Sequence, residues 1–481
     1  MSRLCFFQNK EFHLFLKSGK PYFIHRESRD RVITDDLGRA IWEGLPGEEE
    51  EVVKRSLEKA GAQESLARDF LRMMFSAGII NCMSEGTEEK AGKDGEEKEA
   101  GDKNEEEKEE EFLAGERELI SRAEEAEEAR LEASGLVSVI IVTYNSEEHI
   151  MGCLESVLNQ TYQNIEVIVV DNASKDRTVE ISQSYHPRVR VFALRKNLYF
   201  PGAVNYGIER AAGDFFLILN DDLELDSRCI SRLAKRMSAD AEAGAVVPMM
   251  KFYHLRGFVN GIGNQIREKG WGSDNFIGCV DVDQFGGLTE VPSACFGAVA
   301  LRRKAVEDVG LLDPKYKSYY EDSDWSFRCW MLGWKIVPEV RALVFHKFGA
   351  HWKTMERKLK LVAKNRLRLI LKLFQGKKFF RFLRSYVTED IRNSLSLLRR
   401  GEFRSAAAYL RAYVSLALSL PRICLERRKF FHRKRPHLRA SDILKKNPEP
   451  FSCLNDENVP VLDSAIISKY YSRYLAGAIQ K

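Results

Sequence analysis

The sequence has no cysteines at C-x-x-C spacing, no basic segment followed by an apolar run near its first residue, and no long apolar run, and these absences argue against several classes of protein. Its nine cysteines are spread singly from Cys5 to Cys453 without C-x-x-C spacing, which argues against a disulfide framework and a cysteine zinc site. The scattered cysteines favour a reducing, cytoplasmic location. The N-terminus has no basic segment followed by an apolar run, so we expect no secretory signal. The nearest candidate for a membrane span, Ala406 to Leu420, is interrupted by Arg411 and is shorter than the roughly 18–20 apolar residues that spanning requires.

Charge is distributed unevenly along the 481 residues, although the formal net charge is only +4. Residues 85–130 contain 20 acidic and 8 basic side chains, whereas residues 341–440 contain 27 basic and 5 acidic ones. A basic stretch of this density predicts an anionic partner such as a phosphate, a nucleic acid or a lipid surface. Because no nucleic-acid motif accompanies the charge, we expect no nucleic acid partner.

Residues 1–83 predict a small unit of their own. The segment FHLFLKSGKPYFI predicts two short strands around a turn at Ser18 and Gly19. Apolar spacing then predicts three helices, the first capped by Thr34. A hairpin followed by three helices is a winged-helix-like order, and it resembles the PqqD-like domains that bind the leader of a precursor peptide. The resemblance implies a peptide partner, and the alternative is a plain docking domain.

The rest of the chain divides into four segments. Residues 84–133 are acidic and almost free of apolar side chains, which predicts a flexible linker that ends in an exposed helix. Residues 134–352 have an α/β pattern, and residues 441–481 form a C-terminal tail. In residues 353–440 Lys and Arg alternate with Phe and Leu, which is typical of helices on a membrane surface. The alternative is a helical cap on the α/β domain, and we expect packing early in this region and surface attachment late.

The α/β pattern begins at Leu136, where apolar runs begin to alternate with helical segments. Near-continuous Val and Ile runs predict a mostly parallel sheet that helices cover on both faces. In such sheets ligands bind outside the carboxyl ends of the strands. The polar residues at those predicted ends are Thr143, Tyr144, Asn145, Asp171, Asn172, Asn220, Asp221 and Asp222.

Three carboxylates follow the fourth predicted strand within four residues: Asp221, Asp222 and Glu224. Hard oxygen ligands at a strand end can hold Mg²⁺ or Mn²⁺ against a diphosphate. The alternative for the cluster by itself is a solvated acidic turn.

A series of motifs carries a family resemblance. In order they are VSVIIVTYNS, VIVVDNASKDRT, NLYFPGAVNYGIERAAGD, LILNDDLEL, CFGAVALRRKAVEDVGLLD, YYEDSDWSFRCWMLGWKI and VFHKFGAHWK. Together they are similar to the family 2 glycosyltransferases with the Rossmann-like GT-A fold, most of all the rhamnosyltransferase-like branch. The resemblance extends over residues 134–372. It implies an inverting, metal-dependent transfer of a sugar from a nucleotide diphosphate to an acceptor hydroxyl.

The resemblance also implies residue roles. Asp171 would accept a hydrogen bond from a pyrimidine N3–H, which points to a UDP- or dTDP-sugar donor. Asp222 would be the main ligand of Mn²⁺ or Mg²⁺, with Glu224 assisting and His346 as a distal ligand. The residues expected to hold the nucleotide sugar are Thr143, Tyr144, Asn145, Asp171, Asn197, Asn205 and Asp221.

Asp322 matches the catalytic base of the family. A positioned carboxylate that takes the acceptor proton accelerates transfer by roughly 10²–10⁴-fold. Glu321 and Asp324 flank Asp322 and are alternatives for the base, and the role of His351 stays open. One departure concerns the loop of Asn197 and Asn205, where the family has Gly and this chain has Tyr199. This departure leaves the identity of the donor sugar open.

The acceptor has two candidate classes. One is a cell-surface or lipid-linked glycan made at the inner face of the cell membrane, where the protein would bind peripherally. The other is a peptide-derived product presented by the N-terminal unit. A peptide-binding scaffold with an inactive transferase domain is the alternative function, and the presence of Asp222, Asp322 and His346 argues against it.

Overall fold

The computed structural model describes residues 135–447, apart from 254, 269–271, 280–283, 348–354 and 435, together with six short strands between residues 4 and 84. The chain forms two compact units, Met1–Ala133 and Ser134–Lys481. The linker expected at residues 84–133 lies outside the described residues except for its first position, and the tail does so from residue 448 onward.

Two three-stranded sheets are described in the first unit. One has the order β5-β1-β6 and the other β2-β3-β4. Strands β2 and β3 pair antiparallel with Lys17 opposite Lys20, as the predicted hairpin requires. The three predicted helices lie outside the described residues, so the PqqD-like character stays a prediction. The strands are β1 Leu4–Gln8, β2 Phe12–Lys17, β3 Lys20–His25, β4 Arg31–Ile33, β5 Gly47–Glu48 and β6 Ile80–Ser84.

The second unit is built on a nine-stranded sheet. All seven residues of its first strand are buried, as expected for a strand that helices cover on both faces. The strands are β7 Val137–Thr143, β8 Ile165–Asp171, β9 Val189–Ala193, β10 Phe215–Asn220, β11 Leu223–Leu225, β12 Ala243–Phe252, β13 Leu255–Gly261, β16 Ala298–Arg302 and β17 Lys335–His346; the short strands β14 Asn264–Gln265 and β15 Ser273–Asp274 pair separately.

The sheet is parallel in one half and mixed in the other. Its order is β11-β17-β12-β16-β10-β7-β8-β9, with β13 paired to β12. Strands β10, β7, β8 and β9 are mutually parallel, which confirms the α/β prediction. Strand β16 runs antiparallel between β10 and β12, and β17 runs parallel to β12. The carboxyl ends of β7, β8, β10, β12 and β17 therefore share one edge, where His346 pairs with Leu223 and Phe252.

Helices cover this sheet and continue beyond it. The helix that begins at Tyr199 has Pro201 in its first turn, where a missing N–H costs nothing. The helices are α1 Ile150–Leu158, α2 Thr178–Gln183, α3 Tyr199–Ile208, α4 Cys229–Ala239, α5 Arg303–Val309, α6 Glu321–Met331, α7 Met355–Leu373, α8 Gly376–Arg399, α9 Phe403–Arg433 and α10 Ala440–Ile443.

The helical prediction for the basic C-terminal region is confirmed by α7, α8 and α9. Helix α7 belongs to the core, since Leu367, Ile370 and Leu373 are at most 1% exposed. The ring of Phe374 stacks on that of Phe327 from α6, with 5.7 Å between the ring centres. Among the helices of the described ranges, none combines the length and hydropathy that crossing a membrane requires.

Candidate active site

Asp221, which follows β10, organises the loop that follows β7. Its Oδ2 accepts hydrogen bonds from the Ser146 hydroxyl and, at 3.4 Å, from the backbone N–H of Tyr144. Asn145 has a left-handed backbone (φ 53°), and its Oδ1 accepts a hydrogen bond of 2.9 Å from the N–H of Lys175 in the next loop. Asp221 is buried, whereas the side chain of Tyr144 is 45% exposed. Asp221 therefore supports the loop, and Tyr144 is accessible to a ligand.

The loop after β8 is organised by Asp171 in the same way. Asp171 is 1% exposed, and Thr143 donates a hydrogen bond of 2.9 Å to its Oδ1. Ser174 donates its hydroxyl to the same oxygen and its N–H, at 2.9 Å, to Oδ2. A carboxylate offers about four acceptor sites, so these three hydrogen bonds leave capacity for one more. The neighbouring Asn172 accepts the N–H of Leu198 at 2.9 Å and joins this loop to the one before α3.

The two asparagines expected to hold the nucleotide sugar, Asn197 and Asn205, lie in different settings. Asn197 precedes α3, and its Oδ1 accepts the N–H of Tyr199 at 2.7 Å. Asn205 lies inside α3 and exchanges two hydrogen bonds, of 2.8 and 3.0 Å, with the backbone of Leu312, so it braces the segment that follows α5. Tyr199 has a φ of 61°, the region where glycine is favoured, and its hydroxyl accepts a 3.3 Å hydrogen bond from Lys317.

Asp222 and His346 meet at the carboxyl edge of the sheet. His346 Nε2 lies 3.5 Å from Asp222 Oδ2. On the other side of the ring, Nδ1 lies 2.6 Å from Oδ1 of Asn260, which is buried on β13. Because that partner is an oxygen, Nδ1 carries a proton and donates to it, and Nε2 is directed to the side of Asp222. A metal-ligating histidine commonly donates its other ring N–H in this way.

Glu224, the expected assisting ligand, is engaged elsewhere. Its Oε1 forms a 2.6 Å ion pair with the ammonium of Lys347. A Cβ built on Gly152 of α1 would lie 2.5 Å from the same oxygen, so the carboxylate lies against the backbone of α1. The structure thus pairs Asp222 with His346, and Glu224 with a lysine.

Asp322 lies in the first turn of α6, where the N-terminal end of a helix favours a negative charge. Asn264 of β14 donates a 2.7 Å hydrogen bond from Nδ2 to Asp322 Oδ2, and the N–H of Ser323 donates a 2.7 Å bond to Oδ1. Burial raises the pKa of Asp322 to about 6, although the hydrogen bonds from Ser323 and Asn264 act to lower it. A half-buried carboxyl with such a pKa is suited to accept a proton near neutral pH.

Asp324, one alternative for the base, is occupied by buried cations. It is fully buried, and Arg328 Nε lies 2.9 Å from Oδ2, while the Lys372 ammonium of α7 lies 2.8 Å from Oδ1. The hydroxyl of Tyr316 donates a further 3.1 Å hydrogen bond to Oδ1. This environment gives Asp324 a structural role. Glu321, the other alternative, is 7% exposed at the first residue of α6.

The segment before α6 is held in an unusual backbone conformation. Lys317, Tyr319 and Tyr320 have φ values of 66°, 69° and 69°, a region that residues other than glycine rarely adopt. Asn365 of α7 is fully buried and donates from Nδ2 to the carbonyls of Tyr316, Ser318 and Tyr319 at 2.8–2.9 Å. Helix α7 thus fixes the segment that presents Asp322, a role that no motif in the sequence indicated.

Asp274 of β15 is a second acidic group near Asp322 that the sequence analysis missed. It lies opposite Asn264, the hydrogen-bond donor to Asp322, in the β14–β15 ladder. Burial raises the pKa of Asp274 to about 6; the charge of His346 lowers it and that of Asp322 raises it. Asp274 lies near Asp322 because β15 pairs with β14, and no motif or spacing in the sequence predicts this position. His351 lies outside the described residues.

The donor set fits a hard divalent cation only in part. Within the described residues, no group of three or more His, Cys, Asp or Glu side chains is arranged to hold a metal ion. The Asp222 and His346 atoms nonetheless lie 3.5 Å apart, and two neighbouring ligands of one octahedral Mg²⁺ are about 3 Å apart. Mg²⁺ commonly takes one or two protein ligands and completes its shell with phosphate oxygens and water. Asp222 and His346 fit that pattern.

Part of this unit is similar to known proteins. Residues 138–310 match the family model described as "Glycosyl transferase family 2". An uncharacterised glycosyltransferase of Rickettsia typhi is 42% identical over 89 residues, 18% of this chain and 28% of the relative. The glycosyltransferase GlyG of Streptococcus pneumoniae is 33% identical over 117 residues, 24% of this chain and 38% of the relative. The match therefore spans less than two-fifths of either relative.

One solved structure aligns with a larger part of the chain than these relatives do. Staphylococcus aureus TarS, residues 1–349, in complex with UDP-GlcNAc, aligns with 68% of this chain and 99% of its own, at 16% identity and a TM-score of 0.42. A similarity at this level supports no inference about ligands. The matched family segment ends before Asp322 and His346, so the match includes neither residue.

Proposed function

We propose that the family 2 glycosyltransferase domain at residues 138–310, completed by α6, β17 and α7, transfers a sugar from a nucleotide diphosphate to an acceptor hydroxyl with inversion at the anomeric carbon. The observation that carries the proposal is the single edge of the sheet that gathers Asp222, His346 and the strand-end loops. The carboxylate of the nearby Asp322, whose pKa is raised to about 6, is the proposed proton acceptor.

The proposed step is a direct displacement. The acceptor oxygen forms a bond to the anomeric carbon while the bond from that carbon to the diphosphate oxygen breaks. The acceptor proton passes to the Asp322 carboxylate, and the nucleoside diphosphate leaves with the bonding electrons. Asn264 orients Asp322 for this transfer through its 2.7 Å hydrogen bond. Attack from the face opposite the leaving group inverts the configuration.

Asp222 and His346 are the residues proposed to hold Mn²⁺ or Mg²⁺, with Glu224 as a secondary candidate because of its pairing with Lys347. When bound, such an ion neutralises the negative charge that collects on the leaving diphosphate. Asp222 is buried, with 5% of its surface exposed, so little bulk water reaches its carboxylate.

The donor is proposed to carry a pyrimidine base. Asp171 is positioned by Thr143 and Ser174, and the acceptor capacity left on its carboxylate suits an N3–H of uracil or thymine. The exposed ring of Tyr144 offers a surface for the base. Tyr199, held beside Lys317, occupies space that glycine would leave open. The rhamnosyltransferase-like branch stays a prediction for this reason.

The acceptor is either a glycan, including a lipid-linked one, or a peptide-derived product. The second class depends on the predicted PqqD-like unit in residues 1–83. Co-purification of a synthetic precursor peptide with the full chain, compared with a chain lacking residues 1–83, separates the two classes.

Hydrolysis of a nucleotide sugar by the purified full chain tests the transfer proposal, since water can replace the acceptor. We expect Asp322→Asn to lower the rate by about 10²–10⁴-fold while UDP affinity stays within about twofold. Glu321→Gln, measured beside it, should keep most of the activity. Loss in Glu321→Gln with activity kept in Asp322→Asn would reassign the base. No hydrolysis of any nucleotide sugar by the wild type would favour the inactive scaffold.

A further inference from the structure

Large apolar side chains are exposed mainly on two helices. Of thirteen such residues in the part of the chain that the structure describes, ten lie on α8 and α9. Isolated exposed apolar residues are normal in soluble proteins, but a concentration of this kind marks an interaction surface. The ten are Phe380, Ile391, Leu395, Leu398, Phe403, Leu410, Val414, Leu418, Leu420 and Leu425.

On α9 the exposed apolar residues form one stripe. Phe403, Leu410, Val414, Leu418 and Leu425 are spaced by seven, four, four and seven positions, which places them on one side of a helix. Leu418 is 82% exposed and Leu410 68%. From first to last the stripe extends about 33 Å at 1.5 Å per residue. The buried residues of α9, such as Ala412 and Ile423, lie on the opposite side.

Helix α8 repeats this arrangement. Ile391, Leu395 and Leu398 are spaced by four and three positions and are 43–54% exposed. Phe382, Tyr386 and Asp390 lie on its buried side. The turn that joins α8 to α9 is only three residues long, residues 400–402, so the two helices form an antiparallel hairpin.

A row of cations runs along each apolar stripe. At about 100° per residue, Arg404, Arg411, Arg422 and Lys429 lie roughly 60–90° around α9 from the centre of its stripe. Arg381, Arg392 and Arg399 have the same relation to the stripe of α8. All seven side chains are exposed.

The acidic residues of α8 and α9 form ion pairs with arginines of α7. Glu389 and Asp390 of α8 pair with Arg366 of α7, and Glu426 of α9 pairs with Arg368. Arg366 and Arg368 are themselves at most 1% exposed. These ion pairs neutralise the buried basic residues of α7. Three of the outer cations also have acidic partners, Arg381 with Glu268, Arg411 with Glu356 and Arg422 with Glu426, and the outer faces of α8 and α9 keep a net positive charge.

We propose that the outer faces of α8 and α9 form a docking surface that lies on an anionic lipid bilayer without crossing it. The combination of a long apolar stripe and a flanking cationic row matches a bilayer interface, which supplies acyl chains and negative head groups together. The acidic segment at residues 85–130 would match the charge but has almost no apolar side chains for the stripe. Docking in this way would hold the active site beside a membrane-borne acceptor, a consequence that rests on the proposed function.

Co-sedimentation of the full chain with vesicles tests the docking surface. The vesicles contain phosphatidylcholine alone or with about 30% phosphatidylglycerol, and salt is raised to about 0.5 M in a second series. We expect wild-type protein to sediment with anionic vesicles at low salt and to be released at high salt. The variant Leu410→Glu/Leu418→Glu should bind at least about tenfold more weakly, because it places charges in the apolar stripe.

The matched control is Leu311→Glu, which changes an exposed leucine outside α8 and α9 and should leave vesicle binding unchanged. Equal sedimentation of wild type and the double variant, or no binding by wild type at low salt, would overturn the proposal. A wild-type dimer in light scattering that becomes a monomer in the double variant would assign the surface to a second copy of the chain instead. Hydrolysis of the nucleotide sugar is measured separately, so failure of the transfer proposal and failure of the docking proposal are distinguishable.

Discussion

The ammonium of Lys372 lies 2.8 Å from Oδ1 of Asp324, which joins α7 of the basic C-terminal region to the helix that carries Asp322. Lys372 also lies 3.0 Å from Asp313, and Arg368 pairs with the same carboxylate at 2.7 Å. Burial acts to raise the pKa of Asp313, but Lys372 and Arg368 lower it well below its ordinary value. The C-terminal region therefore contributes to the scaffold of the proposed active site.

Asp324→Asn should destabilise the whole second unit. Removing one partner leaves the buried Arg328 and Lys372 charges incompletely compensated, which typically costs about 3–5 kcal/mol in the free energy of unfolding. Thermal unfolding followed by circular dichroism checks this. Glu180→Gln, which removes an exposed partner of Arg177, is the control and should leave the melting temperature unchanged. An unchanged melting temperature in Asp324→Asn would show that the ion pairs do not support the fold.

The rate of donor hydrolysis should rise with pH through about 6. The pKa of Asp322 is raised to about 6, so the carboxyl is protonated and inactive as a base below that pH and ionised above it. The acidic limb of the profile of kcat/KM, measured from pH 4.5 to 8 with UDP affinity followed in parallel, reports this group. An acidic limb with its midpoint near pH 4 would mean that Asp322 keeps an ordinary carboxyl pKa or is not the base.

Removing either proposed metal ligand should weaken binding of Mn²⁺. We expect Asp222→Ala and His346→Ala to lower Mn²⁺ affinity in the presence of UDP by at least about tenfold, measured by calorimetry and electron paramagnetic resonance. Glu224→Gln is the comparison, because its carboxylate is paired with Lys347. A loss in Glu224→Gln as large as in Asp222→Ala would make Glu224 a ligand. Full hydrolysis of the donor in excess EDTA would refute the metal assignment.

UDP or dTDP should stabilise the protein more than GDP does. A pyrimidine presents its N3–H to Asp171, whereas guanine places its hydrogen-bonding edge differently and is larger. A thermal-shift titration with the three nucleotides at equal concentration checks the preference. A larger shift with GDP would show that Asp171 does not select the base, and its hydrogen bonds to Thr143 and Ser174 would then be structural alone.

The α/β order and the strand-end residues could be predicted from the sequence because they depend on local patterns. Apolar runs mark strands that are buried on both faces, and polar residues mark where such strands end. The sequence did not predict the direction of every strand, because a strand's direction depends on where the chain reverses. Strand β16 runs antiparallel, so half of the sheet is mixed. Glu224 carries the same charge as Asp222 yet pairs with a lysine.

The sequence by itself determined the periodicity of the elements, the family resemblance and the surplus of positive charge near the C-terminus. Only the tertiary structure decided which charges face inward, since Arg366, Arg368 and Lys372 are buried against acids from other elements while the cations of α8 and α9 stay outside. The tertiary structure also brings Asn264 within hydrogen-bond distance of Asp322, which lies 58 positions further along the chain. The physical reason is that hydrogen bonds and ion pairs act over a few ångströms in space, and their partners are chosen by strand pairing and helix packing rather than by distance along the chain.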